Sequence, residues 1–301
     1  MLNKFTLVPK APWPTDQVIT QENLYKRAWK LLRKDPIALT SLILIAVLII
    51  SALFAPWIAP YDPNEQMLSK PLSQPSPQHW LGTDEFGRDI LSRLIFGARI
   101  SMSVALGSQF IVSIIGFWMG LIAGYMGGKI DRIISFIIQI FASFPYLLFA
   151  MALIFVLGPG LLNLFLALGL LSWAGTARVV RAQVMSLKHR EFVDASWMMG
   201  ASHYWIMTKH LFPNVLPSLI VLATMGIPNA IIAEASLSYL GLGVRIPTAS
   251  WGQMIFAAKP FLQTFPLYSI ATGILMMLSV LAFNLLGDRL RDALDPRLSG
   301  R

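Results

Sequence analysis

The residue types that usually carry catalysis are almost missing from this sequence. Its 301 residues include no cysteine and four histidines: His79, His189, His203 and His210. No GxxxxGK[ST] stretch is present to cradle a nucleotide phosphate, and the HExxH and GxSxG patterns are also missing. Only His203 and His210 can share a helix face, and no carboxylate supports that pair. The sequence therefore predicts no catalytic residue, no metal site and no ATP hydrolysis on this chain.

One polar segment has spacing that indicates a built structure. Gly200 is suited to a positive φ at the end of a helix, Ser202 can cap the next helix, and Pro213 is expected to end that helix. The pattern predicts a helix-turn-helix unit, called here the bracket (residues 194–213). It carries five large apolar residues: Trp197, Met198, Met199, Tyr204 and Trp205. Such a surface indicates an interface with another protein, and the alternative is that these residues pack under the chain's own helices.

Most of the rest of the chain is apolar enough to lie in a membrane and to position the bracket. Hydrophobic residues make up 55% of the sequence and charged residues only 13%, with a mean hydropathy of +0.63. A soluble domain usually has about a quarter charged residues. Residues 37–58 contain no charge, and at about 1.5 Å per residue they can cross a hydrocarbon core of about 30 Å. Six spans are predicted, at 37–58, 101–125, 133–157, 160–179, 215–239 and 266–287.

The positive charges predict the orientation of these spans. With a cytosolic N-terminus, 18 of the 24 Lys and Arg residues fall in the segments 1–36, 126–132, 178–214 and the tail from Arg289. The outer segments hold the other six. The positive-inside rule then places both termini in the cytosol, with the chain crossing the membrane several times. We attribute the net charge of +9 to this orientation and expect no binding of nucleic acid.

Several residues inside the predicted spans suggest packing and movement. Gly116, Gly120 and Gly124 repeat every four residues, which favours close contact with another helix of this chain or of a partner. Pro145 and Pro228 are expected to bend the third and fifth spans. With Arg178 counted in the cytosolic segment, Glu234 is the exception to a lack of ionisable residues in the spans. It is interpreted either as a structural residue near the interface or as part of a path or outer gate. An ion-coupled carrier would bury more such groups.

The predicted organisation has four parts. Residues 1–36 form a cytosolic tail, and residues 37–97 form the first transmembrane helix and an external loop. Residues 98–290 form the transmembrane core with a cytosolic loop at 181–214, and residues 291–301 form a second cytosolic tail.

The first tail and the external loop contain sequence patterns that suggest further roles. In the first tail, Leu24, Ala28 and Leu31 recur at helical spacing among basic residues, which indicates a helix on an anionic leaflet or a cluster that only sets topology. The external loop 59–97 reads as a proline-rich strap, whose charged residues are expected to pair locally; the alternatives are docking of an external protein and gating of a pore. These residues are Asp84, Glu85, Arg88, Asp89 and Arg93.

The bracket resembles the EAA loop of ABC importer permeases. That pattern is an acidic residue, two small residues, three of any kind, a glycine, and nine residues before a closing apolar-Pro element. Asp194 stands where Glu is usual and Ser196 where Ala is usual. The resemblance implies that the loop couples the permease to an ATPase through the following residues: Asp194, Ala195, Ser196, Trp197, Gly200, Ala201, His210 and Pro213.

Other motifs narrow the resemblance to the C-type dipeptide and oligopeptide permeases. They extend over roughly residues 79–296 and comprise His79 to Asp84, Gly87 to Asp89, Leu91 to Arg93, Gly124 to Gly128 with Asp131, Ser238 to Gly243, Trp251-Gly252, Asn284 to Asp288, Arg291-Asp292 and Asp295-Pro296. The resemblance implies an all-α polytopic membrane protein with six transmembrane helices in a type I ABC importer permease-like bundle. It also implies that the chain lies in a bacterial plasma (inner) membrane. It also implies three kinds of protein partner, namely a second related permease, two cytosolic ATPases that hold ATP and Mg, and an external substrate-binding protein delivering peptides.

Other functions stay open at this point. Within the same family, nickel chelates, glutathione and glycosides are the alternative cargoes. An ATP-independent secondary carrier or channel is the alternative from another class, and the EAA-like loop argues against it. A membrane-embedded enzyme is a third interpretation, opposed by the missing nucleophile and acid-base groups.

Overall fold

The computed structural model describes residues 24–294, and in that range the chain is helical, without a strand. The helices are α1 (Leu24–Leu32), α2 (Pro36–Leu53), α3 (Ala55–Ile58), α4 (Ile90–Met126), α5 (Gly128–Ser143), α6 (Tyr146–Leu157), α7 (Leu161–Leu187), α8 (Glu191–Met198), α9 (His203–Trp205), α10 (Phe212–Tyr239), α11 (Trp251–Ala258) and α12 (Pro266–Leu294). A π-helical segment, Ile206–Leu211, joins α9 to α10, and a 3₁₀ turn, Lys259–Phe261, follows α11. The all-α prediction is confirmed.

Five helices in the described range are long and apolar enough to cross a bilayer, and α5 with α6 makes a sixth crossing if the pair counts as one span. The axes of α5 and α6 differ by 86°. Pro145 lies at this break and has no N–H to donate, while Phe144 before it is extended, as residues preceding proline usually are. The expected bend at Pro145 is therefore a sharp break, whereas Pro228 lies inside the continuous α10.

Several predicted spans have different ends in the structure. The first span stops at Leu53, and a separate short helix contains Pro56. The second begins at Ile90, because the Asp89 side chain accepts a hydrogen bond from the Ser92 N–H and caps the helix there. Residues 90–97 were expected in the external loop and are helical instead. The fourth span continues to Leu187, and so includes two arginines that the hydropathy pattern had placed at its end or beyond it.

The glycine face of α4 lies against α7 of the same chain. A Cβ added to Gly120 would be 2.5 Å from the Ala177 carbonyl oxygen, and one on Gly124 would be 2.8 Å from that of Arg181. At Gly116 an added Cβ would be 2.7 Å from the Thr176 Cβ. The three glycines thus allow a backbone approach that other residues would prevent. Between the two partners left open by the sequence, the structure selects an internal one.

The basic helix α1 is present, but its apolar face is not free for lipid. Ala28 and Leu32 are buried in a cluster with Ala293 and Leu294 at the end of α12. Leu31, predicted on this face, is exposed, because Ala28 and Leu32 are four residues apart and so lie on one side of the helix. Asp35 caps α2 and lies 3.3 Å from Arg289. Helix α1 and Asp35 are therefore attached to the C-terminal helix.

The strap, residues 59–97, holds a buried network of charges. Arg88 Nε donates to Asp84 Oδ2 at 2.6 Å, and Arg93 Nε lies 3.4 Å from the same oxygen. His79 Nδ1 and Asp89 Oδ1 are 3.0 Å apart. The predicted local pairing of these charged residues is confirmed. The structure adds that Asp84, Arg88, Asp89 and Arg93 are buried. Desolvation raises the pKa of Glu85, whose carboxylate also accepts from Arg88.

Candidate functional site

The bracket turns at Gly200. The φ of Gly200 is +82°, in the left-handed region that favours glycine. The Ala201 N–H donates to the Ser196 carbonyl at 3.1 Å and the Gly200 N–H to the Trp197 carbonyl at 2.9 Å, which together form a Schellman motif at the end of α8. Ser202 then caps α9 by accepting from the Trp205 N–H at 3.2 Å. The backbone of this turn is fully determined by local hydrogen bonds.

Side chains attach the bracket to the bundle. Ser196 Oγ and His210 Nε2 are 3.0 Å apart and connect α8 to the π-helical segment. Tyr125 Oη and His203 Nδ1 are 2.9 Å apart and connect α9 to the end of α4. Beneath them a buried apolar cluster unites bracket and bundle: Phe117, Leu121, Val180, Val184, Val193, Ile206, Met207, Leu211 and Val215. The bracket is thus positioned by α4, α7 and α10 together.

The expected helix end at Pro213 is wrong. The helical path runs from His203 to Tyr239, with Pro213 in the first turn of α10. The preceding segment is π-helical, and the Phe212 N–H donates to the Met207 carbonyl five residues back. We attribute the tolerance of Pro213 to this wider turn, because the proline ring normally clashes with the carbonyl four residues earlier. The second half of the bracket, from His203, therefore forms one continuous helical path with the fifth span.

The outer surface of the bracket is apolar and exposed. Trp197 is 64% exposed, Met198 82% and Tyr204 70%, and Met199 and Trp205 are exposed as well. The alternative that these side chains pack under the chain's own bundle is wrong. Asp194 and Ala195 lie exposed on the same helix, while Ala201 is half-buried against the cluster. The predicted coupling residues are thus gathered in one unit, with Ser196 and His210 holding it and Trp197 presented outward.

A cavity of about 570 Å³ opens among α4, α5, α6, α7 and α10. Its lining combines aliphatic and aromatic side chains with the polar residues Ser108, Gln109, Tyr146, Ser172, Thr176, Arg178 and Asn229. The sequence interpretation missed this site, and treated Arg178 only as a charge that sets topology. A signal was present, since Ser172, Gly175 and Arg178 recur every three residues along the fourth span. Such a stripe places small and polar groups on one helix face.

Glu234 lies away from this cavity. Its carboxylate is fully buried and accepts from Ser101 Oγ at 2.9 Å and Ser238 Oγ at 2.7 Å. Ser101 also accepts from the Trp251 N–H at 3.1 Å. Glu234 therefore joins α4, α10 and α11 in a closed contact, a position suited to the structural interpretation. Between residues 24 and 294, no group of three His, Cys, Asp or Glu residues is arranged to hold a metal ion.

Comparison with known proteins gives consistent matches. A profile of the family described as "Binding-protein-dependent transport system inner membrane component" matches residues 116–300. A second profile, "N-terminal TM domain of oligopeptide transport permease C", matches residues 23–75.

Individual relatives and one solved fold agree with these matches. The dipeptide transport system permease protein DppC of Alkalihalophilus pseudofirmus is 40% identical, over 96% of this chain and 95% of the relative. The nickel transport system permease protein NikC of Escherichia coli K12 is 44% identical, over 86% and 93%. The glutathione transport system permease protein GsiD of Escherichia coli O6 is 41% identical, over 95% and 93%. A chain of the MetNI methionine ABC transporter, solved in inward facing conformations, has a TM-score of 0.56 at 22% identity, over 68% of this chain and 98% of that one.

Proposed function

The chain belongs to the family of binding-protein-dependent transport system inner membrane components and is a multi-pass permease of an ABC importer; from that premise we propose that it forms half of a translocation path for di- and oligopeptides. A second, related permease supplies the other half, and an external binding protein delivers the cargo. Peptide is favoured because the N-terminal profile is that of an oligopeptide permease and because a dipeptide permease matches 96% of the chain. Nickel chelates and glutathione are the alternatives, supported by relatives of similar identity. Glycosides also stay open.

The observation that carries the coupling role is the exposed apolar surface of the bracket. A monomer seldom leaves so many large apolar side chains in water on one rigid unit. In the proposed complex, two cytosolic ATPases bind the brackets of the two permeases and hold the ATP and Mg. Because α9, the π-helical segment and α10 are continuous, a shift of the bracket is transmitted directly to the fifth span. ATP binding can then bias the spans between two arrangements.

The proposed orientation follows from this assignment. The bracket, helix α1 and the end of α12 all belong to segments rich in Lys and Arg, and both termini are therefore placed in the cytosol. The strap and its buried charge network then face outward, where the binding protein docks. The same arrangement argues against a channel or a secondary carrier, because neither requires an apolar cytosolic docking surface.

The test is affinity purification of the permease with its ATPases. Trp197→Ala should weaken ATPase binding by about 30-fold or more, because buried aromatic anchors at an interface are worth about 2 kcal/mol or more. Trp57→Ala is the matched control, since Trp57 is an exposed tryptophan on α3 at the opposite end of the first span. Equal ATPase recovery with the wild type and with Trp197→Ala would remove the docking role of the bracket.

A further inference from the structure

The only formal charge in the lining of the cavity is positive. Of the residues that line it, Arg178 is the one with a formal charge, and no lining residue is a carboxylate. The remaining polar groups are neutral hydroxyls and amides, and the rest of the wall is apolar. Its volume, about 570 Å³, lies within the range of about 300–1,000 Å³ found for sites that enclose one small molecule. The cavity is therefore suited to a compact ligand that has a negative group.

Arg178 differs from its neighbour Arg181, one helical turn away. Arg181 donates through Nε and Nη2 to the two carboxylate oxygens of Asp131, at 2.5 and 2.6 Å, so its charge is used within the protein. Arg178 is exposed and has no hydrogen bond or ion pair to any residue in the described range 24–294. An arginine without a counter-ion is available for a ligand.

Arg178 lies within the α7 span, close to one of its boundaries. It is 17 residues beyond the start of α7, or about 26 Å along the helix, close to the cytosolic boundary of a hydrocarbon core of about 30 Å. Ionisable residues inside membrane spans are rare and usually face a pathway or a partner charge. Arg178 faces the cavity.

The neighbouring polar groups suit the remainder of such a ligand. Gln109 is held against Gly226, where a Cβ would collide with the Gln109 amide. Asn229 lies on the same helix as Gly226, about one turn further along. Both side-chain amides can donate and accept, as a peptide-like backbone requires. A guanidinium group binds carboxylates through two parallel hydrogen bonds, which an amide cannot do.

We propose that Arg178 is the counter-ion for a carboxylate of the cargo and makes this half of the path selective for small molecules that carry one. The inference rests on the proposed function, since it names the chemical class that the path accepts. The carboxylate can come from the C-terminus of a short peptide, from glutathione or from the chelator around a nickel ion. Cargo with only positive groups is repelled. Near the cytosolic boundary water weakens the pair, so that the cargo is held briefly and then released.

The experiment uses the complete importer in proteoliposomes, with the partner permease, the ATPases and the loaded binding protein. Uptake of dialanine, of glutathione and of a citrate chelate of Ni²⁺ first shows which carboxylate the wild-type complex imports. With that probe, Arg178→Gln should lower the maximal uptake rate at saturating binding protein by about tenfold or more, since a hydrogen bond to a charged group is worth about that factor. Arg178→Lys should restore part of the rate, because it keeps the charge but loses the two parallel hydrogen bonds.

Arg132→Gln is the matched control. Arg132 is an exposed arginine on α5, outside the cavity lining and without an ion pair in the described range, and its uptake rate should stay near the wild-type value. ATP hydrolysis stimulated by the loaded binding protein should continue in Arg178→Gln, because the bracket is unchanged.

Three results would overturn the inference: full uptake by Arg178→Gln, equal loss in Arg178→Gln and Arg178→Lys, or loss of stimulated hydrolysis together with uptake. Uptake of a cargo without any carboxylate at the same rate as the carboxylate probe would also overturn it while leaving the importer function intact. If the assembled wild-type complex imports none of the three probes, the proposed cargo class itself fails.

Discussion

Substitution of Gly200 tests the backbone geometry of the bracket without changing its charge or its contacts with neighbouring side chains. A Cβ added at this position would meet no atom within 4 Å, so valine causes no steric collision with neighbouring groups. Its cost comes from the backbone, because a φ of +82° is unfavourable by about 1–2 kcal/mol for a residue with a Cβ. If the turn opens to relieve this strain, the two hydrogen bonds of the Schellman motif are lost with it.

We expect Gly200→Val to lower ATPase affinity and cargo transport by roughly 5- to 30-fold, which corresponds to 1–2 kcal/mol at tenfold per 1.4 kcal/mol. The spans should still insert, because the bracket takes no part in membrane insertion. Asparagine tolerates left-handed conformations better than valine does, so Gly200→Asn should lose less. The measurement is the affinity of purified ATPase for the permease in detergent, together with hydrolysis stimulated by the loaded binding protein.

Gly241 provides a matched control for this experiment. Its φ is +81°, and a Cβ there would also meet no atom within 4 Å, but it follows α10 at the opposite end from the bracket. Gly241→Val therefore imposes the same backbone cost and should leave ATPase affinity unchanged. If Gly200→Val retains full affinity, stimulated hydrolysis and transport, both the importance of the turn and its coupling role are refuted.

Two further predictions concern packing and topology. Gly120→Leu should destabilise the chain's own bundle by about 1–3 kcal/mol and reduce its assembly, because the new side chain must displace the α7 backbone. Gly273→Leu, with open space around it, should not destabilise the bundle. Thermal unfolding of both variants in detergent checks this, and equal stability of the two would show that the α4–α7 contact is not needed. Reporter fusions at Ser69, in the strap, and at Gly300, outside the described residues, should report opposite sides of the membrane, and a result with both on one side would exclude the proposed topology.

The local backbone features of this protein could be predicted from the sequence. The apolar runs predicted six crossings, since hydropathy and span length are properties of a continuous segment. The positive φ of Gly200 and the cap at Ser202 were also predicted correctly, because each depends on residues within five positions of the turn. The helix end at Pro213 was predicted wrongly for the same reason. A rule for isolated prolines does not include the π-helical segment before it, which has no distinct signature in the sequence.

The tertiary structure decided which groups meet. The glycines of α4 predicted a close helix contact, but only the fold shows that the partner is α7 of the same chain. Asp131 and Arg181 are 50 residues apart, and their pairing leaves Arg178 as the charge of the cavity. Glu234 looked like a gate residue or an interface residue in the sequence and is enclosed by serines from α4 and α10. Such distances depend on how helices pack, and a residue's own neighbours in the chain carry little information about that.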